Sequence, residues 1–408
     1  TDDHRLRRTP GERCIDDHPP CVLSESIRVQ GRPAMYLIKQ GCAPNQAHVG
    51  VPDGLYEEEH GRHGFSGPAS HLYRRHPPTG WVRIEGPLRP RAFACATLPA
   101  SDQRVAEARP VEILRSADVS LFVSRRGETM PYFVRNADGD ELYFIHAGCG
   151  RFETDYGVLP YEPGDYVLFP KGTTYRIRVE TGPSLFLIVE TPAMMGLPDR
   201  GLLGQHALFD MGVVSAPTLE PAGDLRQGQE GQDGREWEVR IKRVGVYTSV
   251  VYPFYPMDVV GWKGTLWVAK LNVRDFRPVM SARYHLPPSV HATFQAGGCL
   301  VSTFAPRPLE SDPQSLRVPF YHRNMDYDEA LFYHQGSFFS RTGIQPGMMT
   351  LHPQGIHHGP QPQAVDASRA KTSTDEVAIM IESRTPFTVL PELEPVEVKD
   401  YADTWRAA

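Results

Sequence analysis

Short apolar runs recur along this chain, and each is bounded by glycine, proline or charged residues. The clearest are ELYFIHAG at 141–148, DYVLFPKG at 165–172, SLFLIVE at 184–190, LWVAKLNV at 266–273 and EVAIMIES at 376–383. Runs of this length with turn residues at both ends are typical of β-strands. No stretch repeats its apolar residues with a helical period over several turns. The pattern therefore predicts an all-β-dominated fold of sandwich or barrel units.

A long polar segment interrupts the succession of predicted strands. TLEPAGDLRQGQEGQDGRE at 218–236 is rich in glycine and glutamine, which indicates a linker or surface loop. We therefore divide the chain into an N-terminal extension at 1–34, an N-terminal β domain at 35–217, this linker, and a C-terminal catalytic domain at 237–408.

The chain contains an internal repeat. RNADGDELYFIHAG at 135–148 matches RNMDYDEALFYHQG at 323–336, and both read R-N-x-D-x-D-E, six residues, Gly. GDYVLFPKGTTY at 164–175 matches GMMTLHPQGIHH at 347–358, and both read Gly, five residues, Pro, one residue, Gly. The repeat predicts two related β-units in tandem.

Composition sets limits on possible partners. Of the 408 residues, 40% are hydrophobic and 23% charged, and the net charge is −6, as in a soluble globular protein. This mild negative charge gives no reason to expect nucleic acid or an anionic membrane as a partner. No apolar run reaches the roughly 18 residues of a membrane span, and the first residues lack the apolar core of a secretory signal. We therefore expect a cytoplasmic protein.

The cysteines form no closely spaced pair that would indicate a metal or redox motif. They are Cys14, Cys21, Cys42, Cys95, Cys149 and Cys299. A chain of this length does not need a disulfide scaffold, so we expect mostly reduced thiols.

The repeated blocks resemble the two motifs of cupins, which are jelly-roll β-barrels. In the C-terminal unit, His322 and Glu329 fall at the ligand positions of the first motif, and His358 falls at that of the second. Two imidazoles and one carboxylate leave coordination positions open, which suits a non-haem Fe(II) that binds both O₂ and substrate. A closed structural zinc site would instead require four protein ligands, usually including thiolates.

The N-terminal copy serves as an internal control for this metal site. Val134 and Tyr175 stand where the second copy has His322 and His358, whereas Glu141 keeps the position of Glu329. Residues common to both copies are therefore interpreted as scaffold, and the two histidines as metal ligands. This comparison predicts a metal-free N-terminal unit and a metal-binding C-terminal unit. The acids Asp326 and Asp328 recur in the first copy, so we assign them to a turn.

Around these motifs the sequence resembles the homogentisate 1,2-dioxygenase family, and most closely its shorter bacterial branch. The segments that carry the resemblance are PFYHRN at 319–324, LHPQGIHHGP at 351–360, VVGWKG at 259–264, YHLPPSV at 284–290 and LYRRHPPTG at 72–80. The similarity covers most of residues 35–390.

The resemblance implies an Fe(II)-dependent, extradiol-type ring-cleaving dioxygenase with O₂ as co-substrate. Such an enzyme opens homogentisate to maleylacetoacetate in tyrosine and phenylalanine catabolism. The iron ligands of the family map onto His322, Glu329 and His358. Its proposed base maps onto His285 and its second substrate-contacting histidine onto His352, while His291 is an alternative base. A neutral imidazole can accept a hydroquinone proton near physiological pH.

The resemblance also suggests substrate contacts and an assembly. Arg341 and Arg317 are candidates for binding a carboxylate bidentately, and Tyr321 and Phe338 are further candidates for substrate contact. The longer branch of the family has a tyrosine just after the glycine that corresponds to Gly336, but here serine and phenylalanine follow. The family suggests a homo-oligomer, either a trimer or a dimer of trimers.

Three alternatives remain open at the level of sequence. The same chemistry could act on another substituted hydroquinone or catechol in a specialised pathway. A zinc- or manganese-dependent cupin isomerase or oxidase would use another metal. A non-enzymatic bicupin would tolerate the loss of both histidines, so their retention in one unit argues against it.

Overall fold

The structure is a computed structural model that describes residues 39–219, 236–317, 320–368 and 370–406. The predicted extension at 1–34 and nearly all of the predicted linker at 218–236 lie outside these ranges.

The described residues form mainly strands. The strands are β1 (Tyr56–Gly61), β2 (Ala69–Arg74), β3 (Arg91–Phe93), β4 (Val111–Arg115), β5 (Ser120–Arg126), β6 (Phe133–Asn136), β7 (Asp140–Thr154), β8 (Gly157–Tyr161), β9 (Asp165–Phe169), β10 (Thr174–Thr191), β11 (Trp237–Arg243), β12 (Val246–Tyr252), β13 (Ala269–Asn272), β14 (Ala292–Ala296), β15 (Cys299–Phe304), β16 (Arg307–Pro308), β17 (Tyr321–Asn324), β18 (Asp328–Gln335), β19 (Met349–His352), β20 (Ser373–Thr374), β21 (Val377–Ser383) and β22 (Thr388–Val389). Within the described ranges the α-helical structure is α1 (Pro362–Ser368). Short 3-10 helices lie at Gly64–Ser66, Cys95–Thr97, Ser101–Gln103, Gly201–Leu203, Met211–Val213, Val273–Asp275, Pro288–His291, Pro391–Val396 and Tyr401–Trp405.

The predicted β-dominated fold is confirmed. The five apolar runs supply residues to β7, β9, β10, β13 and β21. β21 is buried at every position, because its sheet is covered on both faces. A continuous apolar run, rather than an alternating one, is the pattern that such a strand requires.

Two large sheets organise the described residues. The first has the order β12-β11-β6-β10-β5-β4-β22, and β7, β8, β9 and β13 extend it through further pairings. The second has the order β14-β15-β21-β18-β19-β3. A smaller sheet, β17-β1-β2, brings the segment before residue 75 against the second unit, and β16 pairs with β20.

Strand pairing crosses the predicted domain boundaries. β11 pairs with β6 and β13 pairs with β9, so residues from Trp237 to Asn272 contribute strands to the first sheet. β3, from the N-terminal part of the chain, pairs with β19 in the second sheet. β22, from the C-terminal part, pairs with β4 in the first sheet. A polar linker marks where the chain leaves a sheet, but it does not determine which sheet the next strand joins.

The two units share one hydrophobic core. The largest buried cluster contains Phe144 and Leu187 from the first sheet together with Phe332 and Ile379 from the second. The rings of Phe144 and Phe332 meet edge to face with centroids 6.3 Å apart. Continuous apolar packing of this kind holds the second unit in a fixed position against the first.

The cysteines follow the expectation only in part. Cys95, Cys149 and Cys299 are free thiols. Cys42, in contrast, is disulfide-bonded, so the expectation of reduced thiols does not extend to it. Among the described helices, none is both long and apolar enough to cross a bilayer.

Candidate metal centre and its cavity

Three segments bring the predicted ligands together inside the second unit. His322 lies on β17, Glu329 is the second residue of β18, and His358 follows β19 and forms a two-way backbone bridge with His322. The three residues are 7%, 3% and 1% exposed, respectively. His358 Nε2 lies 3.1 Å from Glu329 Oε2, and His322 Nε2 lies 3.5 Å from Glu329 Oε1. The predicted triad is therefore a single buried cluster.

Backbone carbonyls orient both imidazoles. His322 Nδ1 lies 3.0 Å from the carbonyl oxygen of Phe320, and His358 Nδ1 lies 3.4 Å from that of Ile356. A ring that donates its Nδ1 proton to a carbonyl leaves Nε2 as a lone-pair donor. Metal-binding histidines are fixed by outer hydrogen bonds of this kind.

The side chains of the cluster shift one another's pKa values. Burial alone would raise the pKa of the Glu329 carboxyl, but His358 and His322 lower it well below the usual range. Burial and the neighbouring His322 lower the pKa of His358 to about 4. The centre therefore offers an ionised carboxylate beside the neutral imidazole of His358. Burial would lower the pKa of His322, but Glu329 raises it, so metal binding would displace a proton from His322.

The atoms facing one another fit a divalent metal ion. The three ligand atoms lie within 4.8 Å of one another. His322 Nε2 and Glu329 Oε1 are buried and have no hydrogen-bond partner among the described residues. Buried unpaired polar atoms are costly, and a bound cation would satisfy both. Two nitrogens and a carboxylate suit Fe(II) and other first-row divalent ions.

The first unit has the same backbone arrangement without the ligands. Val134 pairs with Tyr175 across β6 and β10, in the place that corresponds to the bridge between His322 and His358. The Tyr175 hydroxyl donates to Glu141 over 3.0 Å. With no imidazole beside it, the Glu141 carboxyl is governed by burial, which raises its pKa to about 7. This contrast supports the use of the first copy as a control.

The acid that precedes the glutamate in each repeat, Asp140 in the first unit and Asp328 in the second, has the same structural role in both units. Asp140 accepts hydrogen bonds from the backbone N–H groups of Lys171 and Met195. Asp328 likewise accepts from those of Gln354 and Phe387. The turn assignment of Asp328 is thus confirmed: its carboxylate fastens the neighbouring loops and does not contact the metal centre.

The triad forms part of the wall of a cavity of about 1020 Å³, which includes the solvent-facing mouth. The predicted base His285 lines the same cavity. Its Nδ1 is 2.7 Å from Glu310 Oε1, and both side chains are largely buried. A carboxylate at Nδ1 leaves Nε2 as the proton-accepting nitrogen.

His352 also lines this cavity, on β19 directly across from Glu329 on β18. Its Nε2 is 3.2 Å from the Tyr401 hydroxyl, and its ring stacks on that of His358 with centroids 4.6 Å apart. Burial and the nearby His358 hold the pKa of His352 well below its ordinary value. His352 is therefore a neutral hydrogen-bonding group.

Cationic side chains are also part of the lining. The candidate substrate contacts Arg317 and Arg341 both reach the cavity. Arg341 is buried and donates from Nη1 to the carbonyl of Gly359 over 2.7 Å, so part of its guanidinium is committed to the backbone. Arg307 also lines the cavity, with Nη1 3.7 Å from Glu376 Oε1.

Two of the predicted substrate contacts lie elsewhere. Phe338 packs on Tyr333 in a separate hydrophobic cluster, and among the described residues around the cavity its place is taken by Phe339. The ring of Tyr321 is buried against Tyr56 and is also outside the lining. Strand alternation explains the placement of Tyr321, because its neighbour His322 faces inward.

Of the three further histidines in these segments, His291 lines the cavity, whereas His357 and His334 do not. The alternative base His291 does line the cavity, but burial lowers its pKa to about 3. His357 points away from the triad and lies 2.8 Å from Glu58. His334 contacts His146 of the first unit, with the two Nδ1 atoms 3.0 Å apart.

Sequence reasoning missed Glu310, Arg307 and Tyr401. Glu310 lies 25 residues from His285, and Tyr401 is 49 residues from His352. None of the three belongs to either repeated block, so no local spacing marked them.

Comparison with known proteins gives two family matches. The model described as homogentisate 1,2-dioxygenase N-terminal matches residues 106–272, and the one described as homogentisate 1,2-dioxygenase C-terminal matches residues 288–408. The first match ends at Asn272, the last residue of β13, which pairs with β9 in the first sheet.

Individual relatives differ in how much of their length is matched. A candidate dioxygenase of Saccharolobus solfataricus is 32% identical over 91% of this chain and 99% of its own length. Homogentisate 1,2-dioxygenases of Nitrobacter hamburgensis and Bradyrhizobium diazoefficiens are each 29% identical over 66% of this chain. The chain spans 62% of the length of these two relatives.

Among solved structures, a variant of oxalate decarboxylase from Bacillus subtilis matches 77% of the chain at 11% identity, with a TM-score of 0.34. A cupin 2 conserved barrel domain protein from Leptotrichia buccalis matches 74% of the chain at 11% identity, with a TM-score of 0.31.

Proposed function

Because the chain belongs to the homogentisate 1,2-dioxygenase family, we propose that it is an Fe(II)-dependent dioxygenase that opens the ring of homogentisate to maleylacetoacetate. It would thereby act in the breakdown of tyrosine and phenylalanine. The observation that carries the proposal is the buried cluster of His322, Glu329 and His358 in the lining of a cavity that the His285–Glu310 pair also lines.

The proposed iron site has three protein ligands. Bound Fe(II) would supply open coordination positions for O₂ and a substrate oxygen, together with the redox capacity that spin-allowed O₂ chemistry needs. Glu329 is ionised and the imidazole of His358 is neutral, so these two ligands need no prior deprotonation. His322 would release a proton when the ion binds, because Glu329 raises its pKa in spite of its burial.

His285 is the proposed base. Its Nε2 would take the proton of a substrate hydroxyl while its Nδ1–H donates to Glu310. The carboxylate then stabilises the imidazolium that forms, and it holds the ring in one tautomer throughout. Glu310 is thus a positioning residue that acts through His285.

His352 and the arginines would orient the substrate. His352 has a buried Nδ1 without a partner among the described residues, so it can hydrogen-bond a substrate oxygen. Its Nε2 is kept in place by Tyr401. A carboxylate side chain on the ring would be recognised by Arg317 or Arg341, since guanidinium groups bind carboxylates bidentately.

Apolar side chains complete the proposed substrate site. Phe65, Phe320, Leu331 and Met380 line the cavity beside the triad. They give an aromatic ring an apolar contact surface and exclude water from the reacting atoms, which strengthens the polar interactions within.

A different hydroquinone or catechol is the second candidate substrate. Two observations favour it: the similarity to the Saccharolobus protein covers 91% of this chain and 99% of that protein, whereas that to the Nitrobacter homogentisate enzyme covers 66% of this chain and 62% of that enzyme. In addition, Phe339 lines the cavity near the position where the longer branch has a tyrosine. The reaction type and the residues involved would be unchanged.

The proposal is tested by loading the purified chain anaerobically with Fe(II) and measuring O₂ uptake with homogentisate, gentisate, hydroquinone and catechol. Homogentisate should give one O₂ consumed per ring opened, together with the ultraviolet absorbance of the product. Uptake with another diol alone would identify the alternative substrate. An iron-loaded chain that consumes no O₂ with any of the four would refute the proposal.

A further inference from the structure

A second group of metal-binding side chains lies beside the first centre, in the segment before residue 75. Glu59 on β1 pairs in register with His71 on β2 and with His322 on β17. Partners in register project from the same face of a sheet. His48, from the loop before β1, approaches the same face, and the three ligand atoms of His48, Glu59 and His71 lie within 4.8 Å of one another.

One carboxylate oxygen is shared by both imidazoles of this group. Glu59 Oε2 lies 3.2 Å from His71 Nε2 and 3.8 Å from His48 Nε2. The rings of the two histidines are edge to face with centroids 5.0 Å apart. Three donors at these separations can converge on one ion after small side-chain movements.

The backbone of His48 has an energetically unfavourable conformation. It is 1% exposed, and its φ of 61° lies in the left-handed region, which a residue with a Cβ adopts at an energetic cost. Its Nδ1 lies 2.6 Å from Glu57 Oε1, and the Glu57 carboxylate also accepts from the His48 backbone N–H over 3.0 Å. An outer carboxylate on Nδ1 orients a metal-binding imidazole and leaves Nε2 for the ion.

We propose that His48, Glu59 and His71 form a second binding site for a divalent first-row transition-metal ion, with Glu57 orienting His48. The two nitrogens and one carboxylate oxygen match the preference of ions such as Zn²⁺. His71 is partly exposed, so the site opens toward solvent and water can complete the coordination.

The strand itself separates the proposed ligands from another acid. Glu58 points to the opposite face of β1, where Arg74, Arg323 and His357 contact its carboxylate. Those two guanidinium groups neutralise Glu58 but do not contact Glu59. The anionic charge on the histidine-bearing face therefore remains available to a cation.

The test is the number of Zn²⁺ ions bound per chain after chelator treatment and dialysis of the full chain against micromolar Zn²⁺. The wild type should bind two ions. His71→Ala and His322→Ala should each bind one, and the double variant none. His60→Ala, on the same strand as Glu59 but on its opposite face, should still bind two.

Glu59→Gln serves as the second variant, since it keeps the side-chain shape while removing the ligand charge. In a background of His322→Ala it should weaken the remaining Zn²⁺ affinity at least about tenfold. Thermal melting of each variant establishes that it is folded. A wild type that binds one ion, together with an His322→Ala variant that binds none, would overturn the second site while leaving the iron centre intact.

Discussion

The carboxylate of Glu310 holds the ring of His285, with Oε1 2.7 Å from Nδ1. If His285 is the base, Glu310→Gln should lower kcat by about 10²–10⁴, because the neutral amide no longer stabilises the imidazolium. KM should change little. Steady-state kinetics measure both effects.

Asp312→Asn is the matched control for this variant. Asp312 lies two residues from Glu310, but it accepts a hydrogen bond from the exposed Arg283. The Asp312→Asn variant should leave both kcat and KM unchanged. If Glu310→Gln lowered only the melting temperature and left kcat unchanged, the positioning role would be contradicted.

Removing a ligand should remove the iron. His322→Ala leaves one imidazole and one carboxylate, and a site of two ligands binds Fe(II) weakly, so we expect no iron at this centre after dialysis and no O₂ uptake. His357→Ala should keep iron and activity, because His357 contacts Glu58 and faces away from the triad. Iron analysis after reconstitution compares the two. Retention of activity by His322→Ala would exclude the assigned triad.

The sequence predicted the ligands because the chain contains a copy of the site without them. His322 and His358 stood out against Val134 and Tyr175, and the structure pairs both sets in equivalent places. The pairing of Glu59 with His322 had no such signal, since the two residues are far apart in sequence. Long-range strand pairing is decided by packing of whole sheets, which no local pattern encodes.

The same reason explains why strand pairing crosses the predicted domain boundary at residue 237. β11 has the apolar alternation of a strand, but this pattern fits the edge of either sheet equally well, and the observed partner is β6. The residue types predicted that these segments are strands. Which sheet each strand joins depended on which sheet edge was free to pair with it.

The arginines of the cavity should differ in their effects. Arg317→Met should raise KM for homogentisate about tenfold or more, because a charged hydrogen bond contributes at least about 1.5 kcal/mol. KM for unsubstituted hydroquinone, which has no carboxylate, should stay the same. Arg341→Met should chiefly lower the melting temperature, because Arg341 Nη1 donates to the Gly359 and Ser340 carbonyls. Equal effects of Arg317→Met on both substrates would argue against carboxylate recognition.

The histidine contact between the units should make stability depend on pH. Burial lowers the pKa values of His146 and His334 to about 4. In the unfolded chain both titrate near 6.5, so between pH 6.5 and 4 the unfolded state binds more protons. The free energy of unfolding should therefore be fully present above pH 6.5, and on the order of a few kcal/mol should be lost by pH 4.

Urea unfolding at pH 7, 5 and 4 measures this loss. A His146→Gln/His334→Gln variant should lose less stability between pH 7 and 4 than the wild type. His206→Gln, at an exposed position, should behave as the wild type does. An unchanged pH dependence in the double variant would place the acid sensitivity elsewhere.

The glycine that ends the first repeated block should be needed for stability. Gly336 has a φ of 92°, and a Cβ built on it would lie 2.2 Å from the carbonyl oxygen of Asp375. Gly343 has a φ of 78° with nothing near its Cβ position. Gly343→Ala should therefore cost about 1–2 kcal/mol for backbone conformation alone. Gly336→Ala should cost a further 1–3 kcal/mol or so for overpacking. Chemical denaturation of both variants measures the difference, and equal losses would mean that the loop at Asp375 moves aside.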